Sequence, residues 1–479
     1  MLRYFPKIIA QKSIQWYFIT LFIVTMLFFQ HSLSLYLIVF GIVSVVGFFY
    51  GSFSLSKRWI NLAPKLYEKK LFKVAFVIRL IYVILIYFLN NELYGTFHES
   101  EPGDIGFYIG TSTNLAKYLC GLVDYGNRTL YEILRIWEIE TSDMGYLYYL
   151  SCLYILIGLT SDVIVPLFFK AVFGALTCVF ISRMATSHFG RSVGYMTGIF
   201  CALQFNMIWW CGSMMKETEM LFILVYFLSS MDEIITKNKF SSQKIILLTL
   251  VGLSLFLFRT VLGLLAFAAI LITLVIGSNR LKSASKRFLT IGLISGVLML
   301  VMADTFSEQI ESTLVAADSS YQETNMEWRS KREGGNSFAK YAGAAVFAPL
   351  IFTIPFPSMI YTQVSQEMQM QAHGGYFIKN VLSFFVIFVM FYLLKTKQWK
   401  QHLLPITFMC GYLAALVLSV FAQSGRFHLM IIPFEMMFAA YGISLLNKKG
   451  IKWFQYALIF ECVVCIAWSW FKLAGRGLA

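Results

Sequence analysis

Apolar runs of membrane-spanning length recur along the whole chain, from just after the basic N-terminus to the neighbourhood of Trp470. A helix needs about 20 mostly apolar residues to cross the hydrocarbon core of a bilayer. Only 13% of the 479 residues are charged, whereas soluble domains average about 25%. The sequence therefore predicts an all-α polytopic membrane protein, organised as one membrane-embedded domain over residues 1–479.

Basic residues orient these runs, because positive side chains accumulate in cytoplasmic loops. The chain has 39 basic and 25 acidic residues, a formal net charge of +14. Placing the basic clusters and the N-terminus inside accounts for this excess, so nucleic acid is not expected as a partner. These clusters lie at residues 57–73, 183–191, 237–244, 280–287, 395–400 and 448–452.

With this orientation the apolar runs predict about 13 transmembrane helices, within a range of about 11–14. Every basic cluster then lies on the cytoplasmic side. The predicted spans are residues 15–32, 33–52, 73–90, 163–182, 192–212, 218–236, 244–258, 260–277, 288–304, 376–395, 403–421, 428–446 and 452–470.

Two further apolar segments do not fit as spans. Residues 145–158 are too short, and residues 347–361 contain three prolines, which interrupt a helix. Each is expected to form an interfacial or re-entrant helix in one of two large extracytoplasmic loops, 91–162 and 305–375. Because no nucleotide-binding P-loop is present, any chemistry is predicted to face outward.

An acidic stretch, HESEPGDIGFYIGT, occupies residues 98–111 after the third predicted span. Asp104 follows a Pro-Gly turn and starts a predicted helix with Tyr108, Leu115 and Leu119 near one face. A carboxylate held at the membrane surface can act as a general base. The alternative is that Asp104 only caps this helix, where the helix dipole favours a negative charge.

Two glutamates of the same stretch, Glu99 and Glu101, are the only candidates for a metal site. Carboxylate oxygens suit Mg²⁺ or Mn²⁺, and Glu101 is the candidate ligand because it is the acid nearest to Asp104. The alternative for both is a solvated loop. No other cofactor is predicted, since the cysteines and histidines lack the spacing of a zinc site.

Three later clusters place charged residues at the outer ends of predicted spans. Lys216 and Glu217 lie where a helical hairpin turns back, Arg259 interrupts a long apolar run, and Arg426 and His428 precede a late span. Intramembrane cations are functional candidates by default, and arginine can hold two phosphate oxygens in a fork. Together with the acidic loop, these residues suit an anionic lipid-linked substrate. The alternatives are a snorkelling lysine, a helix-capping glutamate and a structural histidine.

The order of these features resembles the GT-C glycosyltransferases, in particular the bacterial enzymes similar to protein O-mannosyltransferases and lipid A aminoarabinose transferases. The resemblance covers about residues 75–450 and is strongest over 168–217. It rests also on GDIGFYIGTSTNLA in the first outer loop, DMGYLYYLSCLYILIG after it, and GRFHLMIIPFEMMFAAYG near the end.

The resemblance implies an enzyme that moves a sugar from a polyprenyl-phosphate donor to a glycan, lipid or protein acceptor. Asp104 matches the acid that activates the acceptor, and Asp143 is a second candidate. Lys216, Arg259 and Arg426 match the cations that hold the donor phosphate, and we add Tyr108, Glu217 and His428 as substrate-binding candidates.

It further implies a bacterial inner-membrane protein, surrounded by membrane lipids, with a cytoplasmic N-terminus and an extracytoplasmic active site. Many relatives carry two adjacent acids in the first loop, whereas Ile105 follows Asp104 here. Metal use therefore stays open.

Two other functions fit the same pattern. An O-antigen- or capsule-type polymerase or ligase also acts on lipid-linked glycans with outer arginine and histidine residues, and residues 319–341 form a long basic outer loop. A flippase for lipid-linked sugars would need polar residues at mid-membrane depth. The predicted threading instead places the charged clusters at one interface.

Overall fold

The computed structural model describes most of the chain. The described residues are 2–96, 103–124, 126, 130–137, 141–237, 242–276, 335–338, 347–362, 370–419, 422–478 and the isolated positions 292, 296, 324, 327, 330 and 331. Helices dominate these residues, and no β-strand occurs among them. The predicted all-α class is therefore confirmed for the described part of the chain.

The described helices are numbered α1–α17 in chain order. The first twelve are α1 (Lys7–Leu27), α2 (Leu35–Trp59), α3 (Pro64–Tyr94), α4 (Gly103–Leu119), α5 (Leu130–Ile136), α6 (Thr141–Leu156), α7 (Ile164–Phe189), α8 (Arg191–Leu203), α9 (Phe205–Trp209), α10 (Glu217–Lys237), α11 (Ser242–Phe258) and α12 (Thr260–Ile276). The later ones are α13 (His373–Lys395), α14 (Leu403–Val417), α15 (Gly425–His428), α16 (Ile432–Ser444) and α17 (Lys448–Ala474).

Local signals set several of these boundaries. Helix α3 begins at Pro64, whose fixed φ suits a first helical turn. The side chain of Asn447 caps α17 by accepting a hydrogen bond from the Gly450 amide at 2.8 Å. Gly190 alone separates α7 from α8 and has φ +86°, a left-handed conformation that costs glycine little.

Six described helices are long and apolar enough to cross a membrane, so the chain is an integral membrane protein. They are Lys7–Leu27, Leu35–Trp59, Pro64–Leu93, Ile164–Phe189, His373–Lys395 and Lys448–Ala474. Two shorter apolar helices, α11 and α12, stand on either side of Arg259. The count of about 13 spans stays a prediction, and nearly all of the predicted span 288–304 lies outside the described residues.

The predicted span 192–212 is not one continuous helix. Helix α8 ends at Leu203, and Gln204 takes an extended conformation with φ −67° and ψ 113°. Helix α9 and a short 3₁₀ turn follow. The side-chain Nε2 of Gln204 donates a hydrogen bond to Gly375 O at 3.1 Å. A buried amide needs such a partner, so this polar contact accompanies the break.

Residues 348–362 contain one short 3₁₀ turn, Ala348–Leu350, and no α-helix. The interfacial or re-entrant helix predicted there is therefore wrong, because three prolines remove the amide hydrogens that a helix needs. Backbone carbonyls of this segment are satisfied by a side chain instead. Lys379 Nζ donates to Phe352 O at 3.0 Å and to Ile354 O at 2.6 Å.

The chain divides into two compact units. The first unit comprises Met1–Leu71, Ile181–Asn206 and Ser295–Ala479, and the second comprises Phe72–Phe180 and Met207–Ile294. The boundaries between them fall within α3 and α7, among other places.

Helix α16 forms the core of the first unit. It packs against α8, α13 and α14, while α1 packs against α2 and α17. Every residue of α16 is buried. Gly442 allows this packing, because a Cβ there would lie 2.6 Å from Phe385 O of α13.

Helix α6 is central to the second unit, where it packs against α4 and α11. Residues 145–158 were predicted to be helical, and α6 confirms this for most of them. On α4, Tyr108 and Leu115 are buried as predicted. Leu119 is 46% exposed and so differs from the prediction; it is the last residue of its helix, where fewer neighbours cover a side chain.

Candidate functional site

The centre of the candidate site is an ion pair between Asp143 and Lys216 in the second unit. Asp143 lies in the first turn of α6, and Lys216 lies directly before α10. Lys216 Nζ also donates to Ser142 O at 2.8 Å and to Phe258 O at 2.6 Å. The lysine thereby joins the beginning of α6, the beginning of α10 and the end of α11.

Helix α4 contributes Tyr108 to this site. The Tyr108 hydroxyl donates a hydrogen bond to Asp143 Oδ1 at 2.8 Å, and its side chain is buried. Asp104 lies four residues earlier in the first turn of α4 and is exposed. Residues four apart share a helix face, so Asp104 is one turn from the tyrosine that contacts Asp143.

Arg259 lies at the break between α11 and α12. The preceding carbonyl, that of Phe258, accepts the hydrogen bond from Lys216. Gly145 lets α6 approach this break, because a Cβ there would lie 2.8 Å from the Phe258 ring and 3.0 Å from Leu257 Cβ. Close packing of α6 and α11 therefore holds Arg259 near Lys216.

The surroundings of Lys216 shift its proton affinity. Burial lowers the pKa of Lys216, and Asp143 opposes that change by stabilising the ammonium. The positive charge of Arg259 lowers the same pKa further. The charges of Asp143 and Arg259 thus both act on the buried ammonium of Lys216.

Glu217 completes the group of candidates in the second unit. It is the first residue of α10 and is fully buried. Its charge acts on Lys216 in the direction opposite to that of Arg259. Five residues selected from the sequence therefore meet in one place, Tyr108, Asp143, Lys216, Glu217 and Arg259.

Arg426 and His428 belong to the first unit, in the short helix α15. Arg426 is half-buried. His428 is buried, and its Nε2 lies 2.7 Å from Ala422 O. Because a carbonyl oxygen only accepts, Nε2 carries the hydrogen and donates it.

Each unit also contains a buried ion pair that the sequence analysis does not predict. Lys170 pairs with Glu219 at 2.6 Å in the second unit, and Lys379 pairs with Glu435 at 3.2 Å in the first. In both pairs the lysine side chain is 0% exposed and the glutamate 3% exposed. The available signal was a single lysine inside a long apolar run, which marks a functional or structural partner elsewhere.

The described residues provide no test of the predicted metal site. Glu101, the candidate ligand, lies outside the described residues. Among those that are described, no three His, Cys, Asp or Glu side chains gather as a metal site requires. Mg²⁺ or Mn²⁺ binding therefore stays a prediction, and no chemical step is derived through a metal.

Comparison with models of known protein families gives no match to this chain, and no curated protein matches it.

Proposed function

We propose that this protein is an integral membrane glycosyltransferase that moves a sugar from a polyprenyl-phosphate donor to an acceptor at the extracytoplasmic face of a bacterial inner membrane. The acceptor class comprises glycans, lipids and proteins. The observation that supports this proposal best is the group formed by Lys216, Arg259 and Asp143 at three neighbouring helix ends. The orientation of about 13 spans, with a cytoplasmic N-terminus, belongs to the same proposal.

Two cations at helix ends suit a phosphate carried by a lipid. Lys216 offers a point charge, and Arg259 offers a planar guanidinium that can bind two phosphate oxygens. The apolar helices α11 and α12 flank Arg259, so a polyprenyl chain can follow them while its phosphate meets the cations. Desolvation of Lys216 strengthens its attraction to an anion.

The transfer itself needs a base and a stabilised leaving group. Asp104 removes the proton from an acceptor hydroxyl, and the resulting oxygen attacks the anomeric carbon of the donor. The bond between that carbon and the phosphate oxygen breaks, and the electron pair stays on the polyprenyl phosphate. Lys216 and Arg259 neutralise the charge that develops there.

Asp143 has a different role from Asp104 in this scheme. It holds the Lys216 ammonium and accepts a hydrogen bond from Tyr108, so both partners are fixed before substrate arrives. Preorganised donors stabilise developing charge without reorganisation during the reaction. We therefore assign proton removal to the exposed Asp104 and orientation to Asp143.

Reconstitution of the purified protein with a polyprenyl-phosphate sugar and acceptor extracts tests this proposal. We expect Arg259→Gln and Lys216→Met each to weaken donor binding about tenfold, which corresponds to about 1.4 kcal/mol. Asp104→Asn should retain donor binding but lower transfer at least about 100-fold, the usual contribution of a general base. Lys449→Met, which alters an exposed lysine of the first unit, serves as the matched charge control.

Three results would contradict the proposal. They are transfer that survives Asp104→Asn, donor affinity that is unchanged in Arg259→Gln, and donor movement across the bilayer without any covalent product. The size of the product distinguishes the alternative enzyme class. Single sugar additions support a transferase, whereas ladders of repeat units indicate a polymerase.

A further inference from the structure

Lys170 occupies an unusual position in the second unit, within the apolar helix α7. Its side chain is completely buried. Lys170 Nζ donates to Glu219 Oε2 at 2.6 Å and to Met215 O at 2.5 Å. It also lies 5.2 Å from the centre of the Tyr146 ring. Two acceptors and one aromatic ring, the last a cation–π contact, therefore surround the ammonium.

Met215, whose carbonyl Lys170 binds, immediately precedes Lys216. The carbonyl before it, that of Met214, accepts a hydrogen bond from the Tyr146 hydroxyl at 3.0 Å. Two successive carbonyls of the turn that leads to Lys216 are therefore held by side chains from α6 and α7. The Thr218 hydroxyl ties the other end of the turn to Trp210 O at 3.0 Å.

This turn needs such support because it is buried and irregular. Residues 213–216 lie between a 3₁₀ turn that ends at Gly212 and α10, which begins at Glu217. All four are buried, so water does not satisfy their carbonyls. An unpaired buried carbonyl costs free energy comparable to a lost hydrogen bond, so side-chain donors stabilise this one conformation over others.

We propose that Lys170 is a positioning residue, which fixes the 213–216 turn and thereby orients Lys216 toward the donor phosphate. Glu219 balances the charge of Lys170, and the Tyr146 ring contacts its ammonium. This inference rests on the proposed function. We assign Lys170 no contact with the phosphate, because both members of its pair are enclosed, at 0% and 3% exposed, whereas Asp143 beside Lys216 is 25% exposed. The pair therefore shapes the site without adding net charge to it.

The test compares Lys170→Met with Lys379→Met. The second substitution breaks the Lys379–Glu435 ion pair of the first unit, whose side chains are as little exposed as those of Lys170 and Glu219. Hydrogen exchange of the peptide that covers residues 210–218 is measured in the intact, purified protein, together with donor affinity. We expect Lys170→Met to raise exchange of this peptide at least tenfold and to weaken donor binding about tenfold. Lys379→Met should change neither, although it should lower the melting temperature comparably.

Tyr146→Phe provides a milder variant if Lys170→Met does not fold. It removes only the hydroxyl that binds Met214 O, and we expect an exchange increase of at least threefold in the same peptide. Unchanged exchange in the folded variants would overturn the positioning role, whatever the activity. The wild-type protein could bind no polyprenyl phosphate while Lys170→Met still raises exchange of this peptide. That result would support the positioning of Lys216 and contradict the proposed function.

Discussion

Two ion pairs of the protein differ mainly in how exposed the basic side chain is. Their acidic side chains are exposed to a similar degree. Asp143 is 25% exposed and pairs with Lys216, which is 4% exposed. Glu68 is 29% exposed and pairs with Arg183, which is 51% exposed. Exposed pairs contribute about 0–1 kcal/mol, whereas loss of one partner leaves a buried cation without its counter-charge.

We therefore predict that Asp143→Asn lowers the free energy of unfolding by about 2 kcal/mol, as expected for hydrogen bonds to charged groups. The matched variant Glu68→Gln should lower it by less than about 1 kcal/mol. Thermal unfolding in detergent measures both. Equal destabilisation by the two substitutions would show that burial of Lys216 does not set the strength of its ion pair.

At this scale the sequence identified single residues better than their partners. Asp143 and Lys216 were both selected, but they stand 73 positions apart, and no local pattern connects them. Lys170 was overlooked because one lysine in an apolar helix resembles a snorkelling side chain until its buried partner is known. Partner choice depends on tertiary packing, which one sequence does not encode locally.

Packing between α6 and α11 determines where the Phe258 carbonyl lies, and one glycine permits that packing. A Cβ at Gly145 would approach the Phe258 ring to 2.8 Å, whereas a Cβ at Gly110 on α4 would meet nothing within 4 Å. Overpacking a close helix contact costs about 1–3 kcal/mol, while an alanine in an open helical position is favoured by about 0.5–1 kcal/mol.

We predict that Gly145→Ala lowers both the melting temperature and donor affinity, because displacement of Phe258 moves the carbonyl that anchors Lys216. Gly110→Ala should raise the melting temperature slightly and leave affinity unchanged. Calorimetry and donor titration report the two quantities. Gly145→Ala with normal affinity would mean that the helix contact does not support the site.

Helix starts were easier to predict than helix interruptions. Helix α4 begins at the glycine of a Pro-Gly dipeptide, and α10 begins at the glutamate of a Lys-Glu pair; both are local signals. The break at Gln204 was missed, because the segment is apolar enough to read as one span. A hydrogen bond from the Gln204 side chain to Gly375 accompanies the break, and this partner lies 171 positions away, where no local pattern can show it. Tertiary contacts of this kind can override local propensity.

The orientation of the whole molecule can be tested with its own cysteines. Cys120 is exposed at the end of α4, in the loop predicted to face outward. We predict that, in a background with the other seven cysteines replaced, a membrane-impermeant maleimide labels Cys120 in intact cells. A single cysteine at the exposed position 449, introduced by Lys449→Cys, should react only after permeabilisation. The reverse result would invert the proposed topology.

The apolar pattern predicted an all-helical membrane protein correctly, yet the described helices meet the length of a span in six cases. The pattern shows which segments are apolar, but it does not show whether each segment forms one uninterrupted helix. Helices α14 and α16 have only 15 and 13 residues, where longer spans were predicted. The division of the chain into two units arises from distant contacts, which no hydropathy pattern shows.

The complete burial of α16 has a consequence for how this protein is made. Its 13 residues extend only about 20 Å, less than the hydrocarbon thickness of about 30 Å, and they include Glu435. Such a segment partitions poorly into lipid on its own, because it is short for a span and carries an ionisable side chain in its first turn. Its entry during synthesis should therefore depend on its neighbours, and α13, which precedes it in the chain, carries Lys379, the counter-charge of Glu435 in the folded protein.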